Sequence, residues 1–326
     1  MYLRGVKMIR NIKIALRNIL LRESTKGLYK KIRSTVIKGM VVLNDTQFTK
    51  LKIRLNTGIN LDLKNPKMFI EKINWLKLNY RNPLQTEYTD KFKVRNYVSS
   101  HGYGHILPPL LGVYDSFDQM NLNELPKKVF LKTNHTSGVN QIVEKENTNI
   151  KKTKNKFDKA LKDNYFKYSR EWNYKNIEPK ILVEEYLDMN EFVDYKFFVF
   201  NGNVEFFAII KDINDEKGNQ SLNSKFNLYN KDLSKSSIDV KRQTFEDSNM
   251  KFSVFISEMI NLSEKLAEQF PFCRVDFLVS NKEFIFGEMT FHPNGGEMVL
   301  YPLKNESIYG EKIDLKSIPK IFVKSD

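Results

Sequence analysis

The chain has 326 residues, 41% of them hydrophobic and 13% aromatic, with only 14 glycines, 10 prolines and one cysteine, Cys273. That supports about two packed domains and excludes disordered, collagen-like, repeat and disulfide-framed architectures; without a CxxC or Cys/His spacing it also argues against structural zinc. The 53 lysines and arginines against 39 acidic residues give a formal charge of +14, which favours nucleotides, acidic sugars, phospholipids or nucleic acid as partners without choosing among them.

Residues 1–44 place Met8, Ile12, Ala15, Leu16 and Ile19 at helical spacing, with Arg4, Lys7, Arg10, Lys13, Arg17 and Arg22 at other positions. This predicts a basic amphipathic helix. Two roles fit: docking on its own domain, or peripheral contact of residues 1–24 with an anionic membrane, where each Lys or Arg adds ~1 kcal/mol. No stretch approaches the ~20 apolar residues of a bilayer span, and no cleavable leader is evident, so a cytoplasmic protein is expected.

From Thr46 to Val98 the pattern is helical. Phe48, Leu51, Ile53 and Leu55 form one run; Phe69, Ile73, Trp75 and Leu76 form another, with Asn65 as N-cap and Pro66 as its first residue. A third helix is predicted from Lys91 to Ser100 after Thr89-Asp90, stopped by Gly102 and Gly104 before extended Ile106–Pro109. Together, residues 45–115 read as a small, mostly helical N-terminal domain.

Strands are predicted at Lys128–Lys132 and Gln141–Val143 around a polar loop, and a lysine-rich helix at Thr153–Ser169. The apolar run Lys180–Leu187 comes next, then a hairpin of Tyr195–Phe200 and Val204–Ile210 about Asn201-Gly202-Asn203. Lys211–Ser237 reads as a long surface excursion with one short strand near Phe226–Tyr229. A helix over Phe252–Phe270 and strands at Arg274–Val279 and Glu283–Met289 complete an α+β chain without internal repeats.

The last hairpin carries the most chemistry. Alternation puts Arg274 and Asp276 on one strand face, Glu288 and Thr290 on one face of the next, and a short turn brings Asp276 near Glu288. Two carboxylates forced together call for a cation, and oxygen ligands suit a hard divalent ion such as magnesium. Arg274 suits a phosphate or a developing oxyanion; the alternative is a plain strand salt bridge to Glu288. The loop Lys132–Gly138 reads either as an anion cradle or as a polar hairpin loop, and is not a Walker A sequence. His101 and His105 are separated by glycines that favour a turn over a metal site, and Cys273 reads as an inert core residue.

Seven segments, in order, resemble the TupA-like ATP-grasp family: Asn65-Pro66 through Glu71–Lys77; Asp90-Lys91 through Val94-Arg95; Lys132–Gly138; Arg170-Glu171-Trp172 with Tyr174; Val183–Leu187; Asp194–Phe198 continuing to Gly202; and Arg274–Phe277 with Gly287–Phe291. The resemblance spans about residues 60–300 and implies an ATP-grasp fold, two α+β subdomains clamping ATP. The subdomain bounds follow: 116–190 as the lid and 191–326 as the catalytic half, after the basic segment 1–44 and the domain 45–115.

The resemblance also implies roles. Lys91 and Lys132 would hold ATP phosphates, with Lys132–Gly138, including His135, Ser137 and Gly138, as a flexible lid. Glu184, Glu185, Tyr186 and Leu187 would read the adenine edge, with Glu191 or Asp194 on the ribose. Lys196 would contact phosphate or substrate, and Arg274 would steady the acyl-phosphate. Asp276, Glu288 and Thr290 would bind magnesium. Thr136 and Thr290 depart from the commoner glycine and asparagine. His135 and Phe291–Glu297 are further candidates for an acceptor pocket.

The implied activity is an ATP- and Mg2+-dependent carboxylate–amine ligase, joining an amino acid or peptide to a uronic acid in a bacterial surface polysaccharide. The implied partners are an acidic glycan or its precursor and an amine. A glycosyltransferase of the same pathway and an ATP-grasp phosphotransferase are the alternatives. A nucleic-acid-binding module ranks last, since no such motif is found.

Overall fold

The computed structural model describes residue 35 and residues 39–212 and 224–325. The basic helix expected within residues 1–24 lies outside the described residues, as do residues 213–223 of the surface excursion. Two compact units divide between Lys52 and Ile53.

Helix α1 spans Asp45–Thr57 and α2 spans Phe69–Asn79. The second does not open at Pro66, because Glu71 reaches back: its carboxylate accepts the Asp62 N–H at 2.9 Å and those of Lys67 and Met68 at 3.0 Å each. Three otherwise orphaned donors on one charged acceptor, each worth ~1 kcal/mol or more, outweigh a local Asn-Pro start. Helix α3, Pro83–Thr89, was not predicted; Asn82 caps it by accepting the Leu84 N–H at 3.0 Å. Helix α4 is Val94–Ser100, later than expected because Asp90 first caps a turn through the Phe92 N–H at 2.9 Å.

The described strands form two antiparallel sheets. The first has the order β1-β4-β2-β3, from β1 (Leu110–Tyr114), β2 (Lys128–Thr133), β3 (Asn140–Glu144) and β4 (Ile181–Glu185). Strand β1, on the edge after Pro108-Pro109, was expected only as extended chain, and its pairing with β4 starts this sheet before residue 116. Helix α5 (Ile150–Leu161) brings Phe157 onto a core of Val129, Leu131, Val143, Ile181 and Val183. The lysine-rich helix is shorter than predicted; a separate turn, α6 (Phe166–Ser169), ends at Arg170 with φ 58°.

The second sheet has the order β7-β6-β5-β8-β9: β5 (Val193–Phe200), β6 (Asn203–Lys211), β7 (Lys225–Asn230), β8 (Phe272–Val279) and β9 (Phe284–Thr290). Asn201 and Gly202, at φ 44° and 79°, make the tight turn that the Asn-Gly pair predicts. One face stacks Phe197 on Phe207 at 5.3 Å and sets it edge to face with Phe277 at 5.8 Å, then meets Phe252 and Phe255 at the entry to α7 (Ile256–Ala267). Each buried phenylalanine contributes ~1.5–3 kcal/mol, so this sheet is a firm platform.

The opposite face is covered at one end by Phe69 of α2, 5.9 Å from Phe200, and by Tyr309 of α8 (Lys304–Glu311), 5.0 Å from Phe206. Helix α8 seats so closely that a Cβ on Gly310 would come within 2.0 Å of the Lys67 carbonyl oxygen. Glu306 ties the two parts by accepting the Ile70 N–H at 2.8 Å and the Leu300 N–H at 2.7 Å. The other end of this face is left to charged side chains.

Candidate active site

Register sets the cluster. Lys196 of β5 pairs with Asp276 of β8, Asp276 with Glu288 of β9, and Arg274 with Thr290. Between Asp276 and Phe277 the ladder slips by one residue, leaving Gly287 as a bulge. A Cβ there would lie 3.0 Å from the Asp276 carbonyl oxygen, so only glycine fits without a shift.

Asp276 is shared by two cations. Arg274 Nε and Nη2 each donate to its carboxylate at 2.6 Å, and Lys196 Nζ donates at 2.5 Å while also meeting Asp194 at 2.8 Å. Arg274 Nη2 further donates to Glu288 Oε1 at 3.2 Å and Thr290 Oγ1 at 3.1 Å, and the Thr290 hydroxyl donates to Glu288 at 2.9 Å. The strand salt bridge from Arg274 to Glu288 expected as the alternative is present, and the contacts to Asp276 are shorter.

Burial governs these groups first. It pushes the Asp194 carboxyl up, with Lys196 opposing. It works against the Lys196 ammonium, but Asp194 and Asp276 outweigh it and raise the pKa. Burial would also raise Glu288, yet Lys91, Arg274 and Lys196 hold its carboxyl down at about 2. Glu288 therefore stays ionised, with a side chain 37% exposed.

The first sheet and α4 supply the facing charges. Lys132 Nζ meets Glu184 at 2.7 Å, and Arg95 meets the same carboxylate at 3.4 Å while donating to the Pro108 carbonyl at 2.8 Å. Lys91 donates to the Thr136 carbonyl oxygen at 2.8 Å; burial lowers its pKa against the pull of Glu288. Lys91 thus senses the charges of Glu288, Lys132, Asp90 and Glu184.

The loop after β2 is held by its own side chains. Asn134 accepts the Lys180 N–H at 2.7 Å and donates to Asp90 at 3.0 Å and the Glu178 carbonyl at 2.9 Å, and the Thr133 and Thr136 hydroxyls bond at 2.6 Å. The expected lid is therefore anchored as far as Thr136; Ser137 and Gly138, at φ 84°, form the exposed tip. His135 is buried, its ring against the Ala160 carbonyl at 3.0 Å, and burial with the nearby Lys91 charge lowers its pKa.

Other expected positions scatter. The Glu185 N–H is taken by the Pro109 carbonyl at 3.0 Å, and the Tyr186 ring lies 3.9 Å from Lys128 Nζ. Leu187 follows β4 and is half-buried. Glu191 lines a recess of about 680 Å³ with Val193, Tyr195, Lys211 and Phe252, on the face opposite Lys196 and Asp276. Of the two ribose candidates, Asp194 joins the cluster and Glu191 does not.

Sequence reading assigns no role to Arg95, Tyr165 or Tyr174 and does not foresee the approach of Glu171 to His292, 3.7 Å apart. The Arg170–Tyr174 segment was the available signal, marked only as a block shared with a family.

Residues 71–314 match the family model described as TupA-like ATPgrasp. The chain belongs to the TupA-like ATP-grasp family and has its α+β, ATP-grasp fold, preceded by a helical region. No curated protein matches it. Among solved structures it is similar to the ATP-grasp ligase PsnB complexed with its minimal precursor, at 9% identity and TM-score 0.40, covering 72% of this chain and 62% of that one. It is also similar to D-alanine–D-alanine ligase from Bacillus anthracis (17% identity, TM-score 0.44, 72% and 69% covered) and from Helicobacter pylori (14%, 0.41, 78% and 68%). The chain thus spans about three-fifths of the length of PsnB.

Among the described residues no helix is long and apolar enough to cross a membrane, and no group of three or more His, Cys, Asp and Glu side chains could hold a metal unaided.

Proposed function

We propose that this protein is an ATP- and magnesium-dependent carboxylate–amine ligase that works through an acyl-phosphate, joining an amino acid or peptide to a uronic acid of a bacterial surface polysaccharide. The observation that carries the reading is the register pair Asp276–Glu288, with Arg274 and Lys196 on the same face and Lys91 and Lys132 facing it.

The donor set fits magnesium. That ion takes one or two carboxylates and fills its remaining positions with phosphate oxygens and water, so a pair rather than a closed cage is the suitable site. Asp276 and Glu288 would hold it, with the Thr290 hydroxyl beside them. When bound, the ion neutralises charge on the phosphate oxygens.

The chain's own residues do the rest. Lys91 and Lys132 supply fixed positive charge for the phosphates, each now balanced by a neighbouring carbonyl or carboxylate that ATP would replace. Arg274 presents a rigid fork to the oxyanion that develops at the acyl carbon. The uronate oxygen attacks the γ-phosphorus, ADP leaves, and the amine then displaces phosphate and releases a proton. No enzyme nucleophile is needed, and Cys273 is fully buried. Alignment of two bound reactants can supply ~7–11 kcal/mol of the barrier reduction.

The test is ADP release with uronic acids screened against amino acids, with product mass read in parallel for wild type, Asp276→Asn and Glu288→Gln. Turnover that needs both substrates, gives an amide and falls at least 100-fold in both variants is the expected result. ADP release without amide would point to phosphoryl transfer, and sugar-nucleotide consumption without ATP would replace the ligase by a glycosyltransferase.

A further inference from the structure

Within the cluster one carboxylate serves two cations and one cation serves two carboxylates. Asp276 accepts Arg274 Nε at Oδ1 and Arg274 Nη2 at Oδ2, both at 2.6 Å, and Lys196 Nζ at Oδ2 at 2.5 Å. A carboxylate offers about four lone-pair sites, so the capacity of Asp276 is nearly filled by protein cations. Among the described residues the Lys196 ammonium meets only Asp276 and, at 2.8 Å, Asp194, and the Asp194 carboxylate pairs with Lys196 alone. Both members of this second pair are largely removed from water, with side chains 19% and 9% exposed.

The two cations on Asp276 are held differently. Arg274 is a rigid fork tied across the hairpin as well, to Glu288 Oε1 at 3.2 Å and Thr290 Oγ1 at 3.1 Å. Lys196 is a point charge on a flexible stem. A divalent ion arriving at Asp276 is repelled by the two cations already there, and Lys196 is the one that can give way, by moving toward Asp194. Asp194 sits in register between Ile210 of β6 and Leu278 of β8, with apolar neighbours on either side. A carboxylate left unpaired there would be costly, so Asp194 keeps its hold on the ammonium.

We propose that Asp194 is a positioning residue that retains the Lys196 ammonium beside the carboxylate pair while Asp276 is given over to the metal, and that it makes no contact with ribose. The inference rests on the ligase reading, which makes Asp276 a metal carboxylate. Without Asp194, Lys196 would have Asp276 alone and would compete with the metal for it. Asp194 thus acts on metal affinity through Lys196. Neither a ribose contact nor a general support of the sheet would show that dependence.

The experiment is titration of the full-length chain with Mn2+, standing in for magnesium and read by electron paramagnetic resonance, at saturating ADP. Asp194→Asn is introduced into wild type and into Lys196→Met, and each variant is first shown to unfold cooperatively. The double variant removes both members of the buried pair, so the second comparison remains decisive if Asp194→Asn alone does not fold. The Mn2+ Kd should rise about tenfold when Asp194→Asn is made in wild type, the scale of one buried ion pair. It should rise less than about threefold when the same change is made in Lys196→Met, and ADP binding without metal should not change. An unchanged Mn2+ Kd in Asp194→Asn, or the same loss in the Lys196→Met background, overturns the role. A fall in metal-free ADP affinity also overturns it and returns Asp194 to the ribose. The ligase reading is separable: Mn2+ binding by wild type that ignores Asp194→Asn removes this role and leaves the ligase. No Mn2+ binding by wild type removes the metal pair and the ligase reading with it.

Discussion

Glu306 should make the stability of this protein fall as pH rises through neutrality. Its carboxyl is 0% exposed and is pushed up to about 7 by burial, against the two backbone N–H groups of Leu300 and Ile70 that favour its ionised form. An unfolded glutamate titrates near 4.5. The folded state therefore holds a proton that the unfolded state has lost between those values. The stabilisation is complete below about 4.5 and disappears as pH climbs through about 7. At 1.36 kcal/mol per unit, the change amounts to ~3 kcal/mol. Urea unfolding of wild type and Glu306→Gln from pH 5 to pH 8 measures it. Gln keeps the shape and one acceptor but cannot ionise, so the variant should lack this slope while carrying a pH-independent cost of ~1 kcal/mol for the poorer acceptor. A difference between the two proteins that stays constant within ~0.5 kcal/mol across that range would refute the reasoning, since the linkage predicts several times more.

Two further outcomes are expected. Gly310→Ala places a Cβ 2.0 Å from the Lys67 carbonyl oxygen and 2.9 Å from the Met68 carbonyl carbon; separating α8 from the backbone before α2 should cost ~3 kcal/mol or more, and a melting temperature within a degree of wild type would contradict it. The Cys273 thiol, buried and pushed up by that burial, should resist a disulfide-exchange reagent at pH 8 in the folded protein and react fully in denaturant. Rapid labelling of the native chain would be the contrary result.

Much of the site could be read from the sequence because it lies on short-range β structure. Alternation and a short turn place Asp276 beside Glu288, and the ladder pairs them directly. Asn201-Gly202 likewise dictates the β5–β6 turn, and the apolar spacing over Phe252–Phe270 signals α7, which is shorter, from Ile256 to Ala267. Reading failed where distant side chains decide. Glu71 moves the start of α2 from Pro66 to Phe69 by accepting the Asp62, Lys67 and Met68 N–H groups, the last as the N3 carboxylate of a capping box, a signal that prevails over the Asn-Pro pair. Strand β1 has a prolyl approach and an edge position, so its residues carry little strand signal until β4 pairs with them. Lys132 and Glu184, expected at separate nucleotide contacts, also meet across neighbouring strands at 2.7 Å, a proximity that only the β2–β4 pairing reveals. The meeting of Glu171 with His292, far apart in sequence, follows only from the packed fold.

The bulge at Gly287 turns the face of the candidate site into a question of odd and even. With Val279–Phe284, Leu278–Ile285 and Phe277–Phe286 paired, an unbroken ladder would next set Gly287 against Asp276 and Glu288 against Val275, on the side occupied by Phe277 and the helix-covered core. One additional residue restores Glu288 and Thr290 to the side of Asp276 and Arg274. A regular ladder that kept Gly287 would therefore send one carboxylate of the pair through the sheet into a hydrocarbon interior, whereas deletion of Gly287 removes the surplus residue together with the bulge and leaves Glu288 opposite Asp276. In this hairpin the surplus residue and the bulge that absorbs it belong together, and their match separates a facing pair of carboxylates from a buried charge.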